Sequence, residues 1–402
     1  MNEILFLAWR NLYRNPRRAF ASLATVAFGA AGLLIYQGFN EGIMNQYREN
    51  TIRVRYGHGQ LYPRGYRDRA FEHPWELWIA NAESLESPLK RIPSVVEIYP
   101  RVSFHAFLEH GGVTLGAKGE GVVSARESKF FTAMNFVQGA DIIRSHDIIL
   151  GKGLATGLGV SIGDSINGMC RTSDGGLARG RFCVAGIFHT GSKEFDDAFF
   201  RIELRTAQQL LHTDRVEHVA IRTTEVDAWS EVAKEAERLF PGLEAIPFDE
   251  LDAVYYKNAI AFLRSQFEFI RFVILLVVTL GILNTIAVGL LERGPEVGAL
   301  RANGETRARL FQILVLENGL LGIFGGVAGI GIAFLLDATA FSGGIPMPPG
   351  PGITRQFLVY LEIQPEHTSQ ALLLPALATV LGSMWPITSL LRKKIPGLLK
   401  AQ

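Results

Sequence analysis

Four long runs with at most one charge constrain this chain more than any other feature. Residues 20–39, 272–291 and 371–391 carry no Asp, Glu, Lys or Arg, and 310–336 carries one acid, Glu317. A helix of ~20 apolar residues crosses a ~30 Å hydrocarbon core. In lipid an open chain must satisfy its backbone polar groups within each segment, which leaves the α-helix. The chain therefore reads as an α-helical membrane protein with four transmembrane helices. Of its 402 residues 20% are charged, too many for spans alone. The surplus lies mainly between the first two runs, which are far enough apart to hold a large soluble domain.

Basic residues set the direction. Arg14, Arg17 and Arg18 precede the first run, Arg293, Arg301, Arg307 and Arg309 separate the second from the third, and Arg392, Lys393 and Lys394 follow the fourth. Four crossings put all three groups on one side, which the positive-inside rule makes cytoplasmic. The expectation is a multi-pass inner-membrane protein with both termini inside. Its organisation reads as a cytoplasmic amphipathic leading helix (1–18), a first span (19–40) and a periplasmic α+β domain (41–269). A second span (270–291), a cytoplasmic helix and turn (292–309) and a third span (310–336) follow. A periplasmic loop (337–370), a fourth span (371–391) and a cytoplasmic tail (392–402) complete the chain. Ile4, Leu5, Ala8 and Leu12 recur at helical spacing opposite Arg10 and Arg14, the pattern of a helix lying on a membrane face. The first run is longer than a signal-peptide core and ends without a small-x-small site, so it reads as an uncleaved anchor.

Strand-like stretches in the outer segment include one from Tyr56, one from Ser94 interrupted at Pro100, and others near Gly112, Asp147, Phe182 and Val216. A helix is expected over 227–240, with Trp229, Val232, Ala233, Ala236 and Leu239 on its apolar side. This gives a mixed lobe (41–105 and 214–269) with an inserted β-rich lobe (106–213). Cys170 and Cys183 flank a turn-rich stretch, and a hairpin there would bring them within reach of a disulfide in an oxidising compartment. Glu194, Asp196 and Asp197 read as a solvated acidic loop. No G-x-x-x-x-G-K-[ST] occurs, and the segment from Gly151 to Gly157 has the wrong spacing for a nucleotide loop. The nine histidines make no metal-ligand pattern, and no nucleophile elbow is present. A net charge of +1 offers no field for nucleic acid. The chain is expected to catalyse nothing and to bind no metal or cofactor of its own.

The most informative stretch is 292–336, where a span leaves the membrane, makes a short helix and a basic turn, and re-enters rich in glycine. Pro295 fits a first helical turn, Glu296 complements the positive end of the helix dipole, and Gly304 suits a helix stop. Val297 and Leu300 form a small apolar face, and Arg301 projects beside it. A short helix between spans has little reason to be apolar unless something docks there. Glu317 is expected to face protein, partnered by an arginine or a helix end, because an ionised group deep in lipid is costly.

Glu292, Arg293, Glu296, Gly298, Leu300, Arg301, Ala302 and Gly304 match the pattern E-R-x-x-E-I-G-x-L-R-A-x-G, and the span that follows carries Leu316-Glu317 and repeated glycines. On these residues the chain resembles the FtsX-like ABC transporter permeases of the MacB, LolC and LolE type. The likeness extends to the basic start, to 151–164, to the stretch from Val184 to Phe188 and to the exit from Trp385 to Pro396. Gly294-Pro295 and Asn303 depart from the usual residues. The resemblance implies a permease dimer, identical or homologous, over two copies of a separate ATPase that binds ATP and Mg. Glu292, Arg293, Glu296, Val297, Gly298, Leu300, Arg301 and Gly304 would couple the two. It further implies transmission of ATP-driven motion to the outer domain, and the length suits the lipoprotein-releasing permeases. Pro346, Met347 and Pro348, in a stiff loop, are candidate contacts for an outer partner such as a lipoprotein or a carrier. A signalling complex without transport and MacB-like tripartite efflux remain alternatives.

Overall fold

The computed structural model describes residues 6–7, 10, 16–69, 74–348 and 356–399. The expected leading helix rests on Ile4, Leu5, Ala8 and Leu12, which lie outside the described residues. Among the described residues four helices have the length and apolar composition to cross a membrane. The periplasmic domain sits in the chain between the first and second of them, as the sequence requires.

The first membrane helix is α1 (Pro16–Thr51), which passes directly into a π-helical turn, Ile52–Tyr56. The strands of the periplasmic domain are β1 (Gly59–Pro63), β2 (Val95–His110), β3 (Val113–Val122), β4 (Phe136–Gly139), β5 (Asp147–Gly151), β6 (Ser165–Arg171), β7 (Leu177–Phe188), β8 (Phe199–Glu203), β9 (His218–Thr223) and β10 (Leu243–Pro247). Its main helices are α2 (Ala82–Leu89), α3 (Lys152–Leu158), α4 (Lys193–Ala198), α5 (Leu204–Leu211) and α6 (Trp229–Leu239). A second π-turn, Ala253–Lys257, leads into α7 (Asn258–Glu292). Then come α8 (Gly294–Ala302), α9 (Arg307–Thr339), the short strands β11 (Ile345–Met347) and β12 (Phe357–Val359), α10 (Pro365–Arg392) and α11 (Ile395–Leu399).

The periplasmic domain is organised around β2, whose 16 residues serve two neighbourhoods. Its first half pairs with β9, from Val95 opposite Thr223 to Arg101 opposite His218. Its second half pairs with β3, from Val102 opposite Gly121, and with β6 over Ala106–Glu109. Pro100 does not interrupt the strand. It sits opposite Val219, in the half of β2 that pairs with β9 and, among the described residues, with no other strand, and a missing donor is tolerated on an unpaired side. Residues of β2, β5, β8 and β9 feed one core that includes Ile98, Val102, Leu108, Ile148, Phe200, Ile202, Val219 and Ile221. On α6 the residues buried are Trp229, Val232 and Ala236, at the spacing of one helix face.

The membrane unit packs through small residues. An added Cβ at Gly329 would collide with the Ala27 carbonyl of α1, and one at Gly325 would lie 2.6 Å from Val26. Gly322 and Gly326 meet α10 at Ala376, Thr379 and Leu372. Glycines on two sides of α9 thus bring both neighbours to backbone distance, the usual route to helix association in lipid. Pro375 and Pro386 lie within α10, which stays one helix through both.

Candidate functional site

The segment from Glu292 to Gly304 forms a compact structure at the end of the second membrane helix. Arg293 is the N-cap of α8, Pro295 lies in its first turn, and Glu296 is the acid of that turn. Gly304 follows the helix with φ +95°, a backbone state that only glycine adopts without strain. Arg293 is buried, and its guanidinium holds two carboxylates. Its Nε donates to Glu296 Oε2 at 2.9 Å and its Nη1 to Glu317 Oε1 at 2.7 Å. Glu317 is thus bound to the start of α8 from the interior of α9, and a forked donor fixes the angle between them.

Two features of the expected docking face differ in the structure. Val297 is 2% exposed and belongs to a cluster with Leu290, Leu310, Leu314, Leu390, Leu391 and Leu398. In the sequence Val297 has no evident cover, because residues 392–402 read as a plain cytoplasmic tail. Helix α11 supplies the cover. Arg301 does not reach outward either. Its Nη1 donates to the Leu391 carbonyl at 3.2 Å and the Lys393 carbonyl at 2.7 Å, groups at the end of α10 that lack helical partners. Gly298 is buried as well, whereas Leu300 is 41% exposed and Glu292, Ala299, Ala302 and Asn303 are exposed. The open face of α8 is therefore centred on Leu300.

The expected disulfide is absent, because both cysteines are free thiols. The hairpin itself forms, but its register separates them. Cys170 lies opposite Ala178 near the turn, and Cys183 lies opposite Ser165 at the far end. Positions 165 and 170 on one strand are roughly 17 Å apart at ~3.4 Å per residue, while a disulfide needs Cα atoms within about 7 Å. The acidic stretch 194–197 is helical rather than a loop, with Glu194 and Asp197 exposed as expected and Asp196 not. Asp196 is buried in α4 and accepts from Thr190 N and Oγ1 at 2.8 and 2.9 Å and from Gly191 N at 3.3 Å. Pro346 and Pro348 are exposed, but Met347 is half-buried and lies in β11, so the loop carries strand structure the sequence did not announce. Among the described residues no three His, Cys, Asp or Glu side chains are grouped to hold a metal.

Sequence reasoning missed a buried ionic network in the periplasmic domain. Arg101 donates to both Glu127 oxygens at 2.8 and 2.6 Å, and Arg201 and Arg55 donate to Glu120 at 3.0 and 3.1 Å. Burial alone would push the Glu120 carboxyl up, but Arg201, Arg55 and Arg101 outweigh it and hold it well below the usual range. Nearby, burial acts against Glu217 too, yet His218 and the Ser103 N–H bring it down to about 2. The available signal was a charge flanked by apolar residues within a strand, as at Arg201 between Phe200 and Ile202.

Comparison with known proteins decides what this geometry belongs to. The profile described as FtsX-like permease C-terminal matches residues 268–395, which include α8 and the last three membrane helices. The profile described as MacB-like periplasmic core domain matches residues 19–239, more than half of the chain. The chain belongs to the FtsX-like ABC transporter permeases with a MacB-like periplasmic core. This permease is 24% identical over 336 residues to the lipoprotein-releasing system transmembrane protein LolC of Neisseria meningitidis serogroup B, covering 78% of this chain and 76% of that one. It is 22% identical over 410 residues to LolE of Haemophilus influenzae, covering 96% of each. The crystal structure of the periplasmic region of MacB from Actinobacillus actinomycetemcomitans aligns with TM-score 0.37 and 12% identity over 50% of the permease and 94% of that chain. Its relatives are permease components rather than enzymes.

Proposed function

We propose that this permease couples ATP hydrolysis in a separate ATPase to conformational change of its periplasmic domain, and that the complex handles lipoproteins or another envelope substrate. Two ATPase copies, which would bind ATP and Mg, dock at the Leu300 face of α8 on the cytoplasmic side. A second permease, identical or homologous, completes the complex. Arg293, Glu296, Val297, Gly298, Arg301 and Gly304 serve this contact by fixing the helix that presents Leu300, and the exposed Glu292 directly precedes it.

One observation carries the reading. Helix α8 is bound to three membrane helices at once: Arg293 ties it to Glu317 of α9, Arg301 caps the end of α10, and Val297 packs with Leu290 of α7 and Leu310 of α9. A force on Leu300 therefore cannot move α8 alone. A passive surface loop needs no such fixing. The lipoprotein substrate is supported by the names of the LolC and LolE relatives.

The test is Leu300→Asp, which alters the exposed face and none of the fixing contacts. Placing a charge in a desolvated contact costs on the order of 2–4 kcal/mol, so ATPase co-purification should fall at least about tenfold. The permease itself should remain inserted. Wild-type co-purification together with ATP-dependent lipoprotein release from proteoliposomes would contradict the assignment of this face.

A further inference from the structure

Four cations without acidic partners gather where α9 begins and α10 ends. The two helices run antiparallel. An added Cβ at Gly326 would meet Leu372, one at Gly322 would meet Thr379, and one at Gly319 would meet Val380. Continued along both helices, that register sets the first turn of α9 level with Arg392, Lys393 and Lys394. Arg307, Arg392, Lys393 and Lys394 are all exposed. Among the described residues none of the four has an ion pair. The nearby acids are taken: Arg293 holds Glu296 and Glu317, and Arg309 holds Glu305. No acid follows Glu366 in the chain.

Membrane orientation demands only that cations lie on the right side. These are fixed in place as well. The Lys393 N–H donates to the Leu390 carbonyl at 3.2 Å, and the Lys393 carbonyl accepts from Arg301 at 2.7 Å. The Lys394 carbonyl accepts from the N–H of Leu398 in α11 at 3.2 Å. The backbone that carries both lysines is therefore pinned beside α8. Arg307 opens α9, where the positive end of the helix dipole disfavours a cation. Like charges held this close repel one another, which a bound anion relieves.

The apolar surface next to the cluster suits a lipid better than a soluble anion. Leu381, Trp385 and Arg392 recur at helical spacing on one face of α10. Leu381 is 63% and Trp385 78% exposed. Arg392 stands roughly 10 Å beyond Trp385 along the axis, at ~1.5 Å per residue. Indole rings favour headgroup level, so an acyl chain lying along Leu381 and Trp385 brings its phosphate to Arg392. Basic clusters at the ends of membrane helices attract anionic headgroups.

We propose that Arg307, Arg392, Lys393 and Lys394 form a binding site for the phosphate headgroup of an anionic phospholipid, in the leaflet that borders α8. The site is a property of the permease alone and does not depend on the ATP-coupled function.

The experiment uses the full chain with and without its ATPase, purified in detergent and given equal amounts of phosphatidylglycerol and phosphatidylcholine. Native mass spectrometry counts the lipids retained. Arg307→Gln with Lys394→Gln removes one cation from each side of the cluster and leaves Arg309, Arg392 and Lys393 to fix orientation. One cation near an anionic headgroup changes affinity about fivefold, so the phosphatidylglycerol preference should fall at least that much. Arg67→Gln with Arg69→Gln makes the same charge change at exposed positions of the periplasmic domain and should leave the preference at its wild-type level. If the first pair does not accumulate, Arg392→Gln with Lys393→Gln takes its place under the same expectation. No preference in the wild type, an undiminished one in the folded variant, or an equal loss in the control pair overturns the site. Displacement of the lipid by excess inorganic phosphate also overturns it, marking a site for a free anion. A preference abolished when the ATPase binds assigns the cations to that protein contact and sinks the lipid site.

Discussion

Arg293 concentrates the physical chemistry of the segment between the second and third membrane helices in one side chain. It is buried, and it donates to Glu296 and to Glu317 on different helices. Removing one member of a buried pair costs about 3–5 kcal/mol, whereas replacing both with apolar groups is often neutral. Arg293→Met should therefore lower the melting temperature of the detergent-solubilised chain markedly. Adding Glu317→Leu should restore most of that loss. Additive losses in a thermal-shift series would show that the pair is not the source. That Glu317 needs shelter was legible from its position in an apolar run. An arginine was among the expected partners, but which arginine was not legible, because Arg293 is 24 positions away and sequence periodicity does not reach across helices.

Local elements divide sharply into legible and illegible. The membrane helices were legible because the bilayer imposes a length and a composition on each segment separately. Coverage of one element by another was not. Val297 read as an open apolar face until α11 closed over it, and Arg301 read as an outward anchor until the end of α10 claimed it. The β6–β7 hairpin shows the same limit. Its existence follows from the turn-rich stretch between the cysteines, but the register decides which residues meet, and a register is not written in spacing alone. With Cys170 and Cys183 at opposite ends of the hairpin, denaturation without reductant should expose two reactive thiols per chain in a maleimide mass-shift assay. An unlabelled pair would contradict the observed register.

Across the whole molecule the family was legible and the interior of the periplasmic domain was not. The match at Glu292, Arg293, Glu296, Gly298, Leu300, Arg301, Ala302 and Gly304 lies inside the FtsX-like region, and the periplasmic core matches separately. The buried network joins Arg55, Arg101, Glu120, Glu127 and Arg201 from positions dispersed through the domain, so no local window contains it. The proposed function is a division of labour across the membrane, in which α8 would receive force from the ATPase and the periplasmic domain would respond. Charge distribution is consistent with that division, since Arg293, Arg301, Arg307 and Arg309, and Arg392, Lys393 and Lys394, flank spans on the side of α8. The most direct measurement is a pair of compartment reporters fused at Gly175, in the β6–β7 turn, and at Thr306, the N-cap of α9. The account predicts a periplasmic signal at Gly175 and a cytoplasmic one at Thr306. The same compartment for both would contradict it.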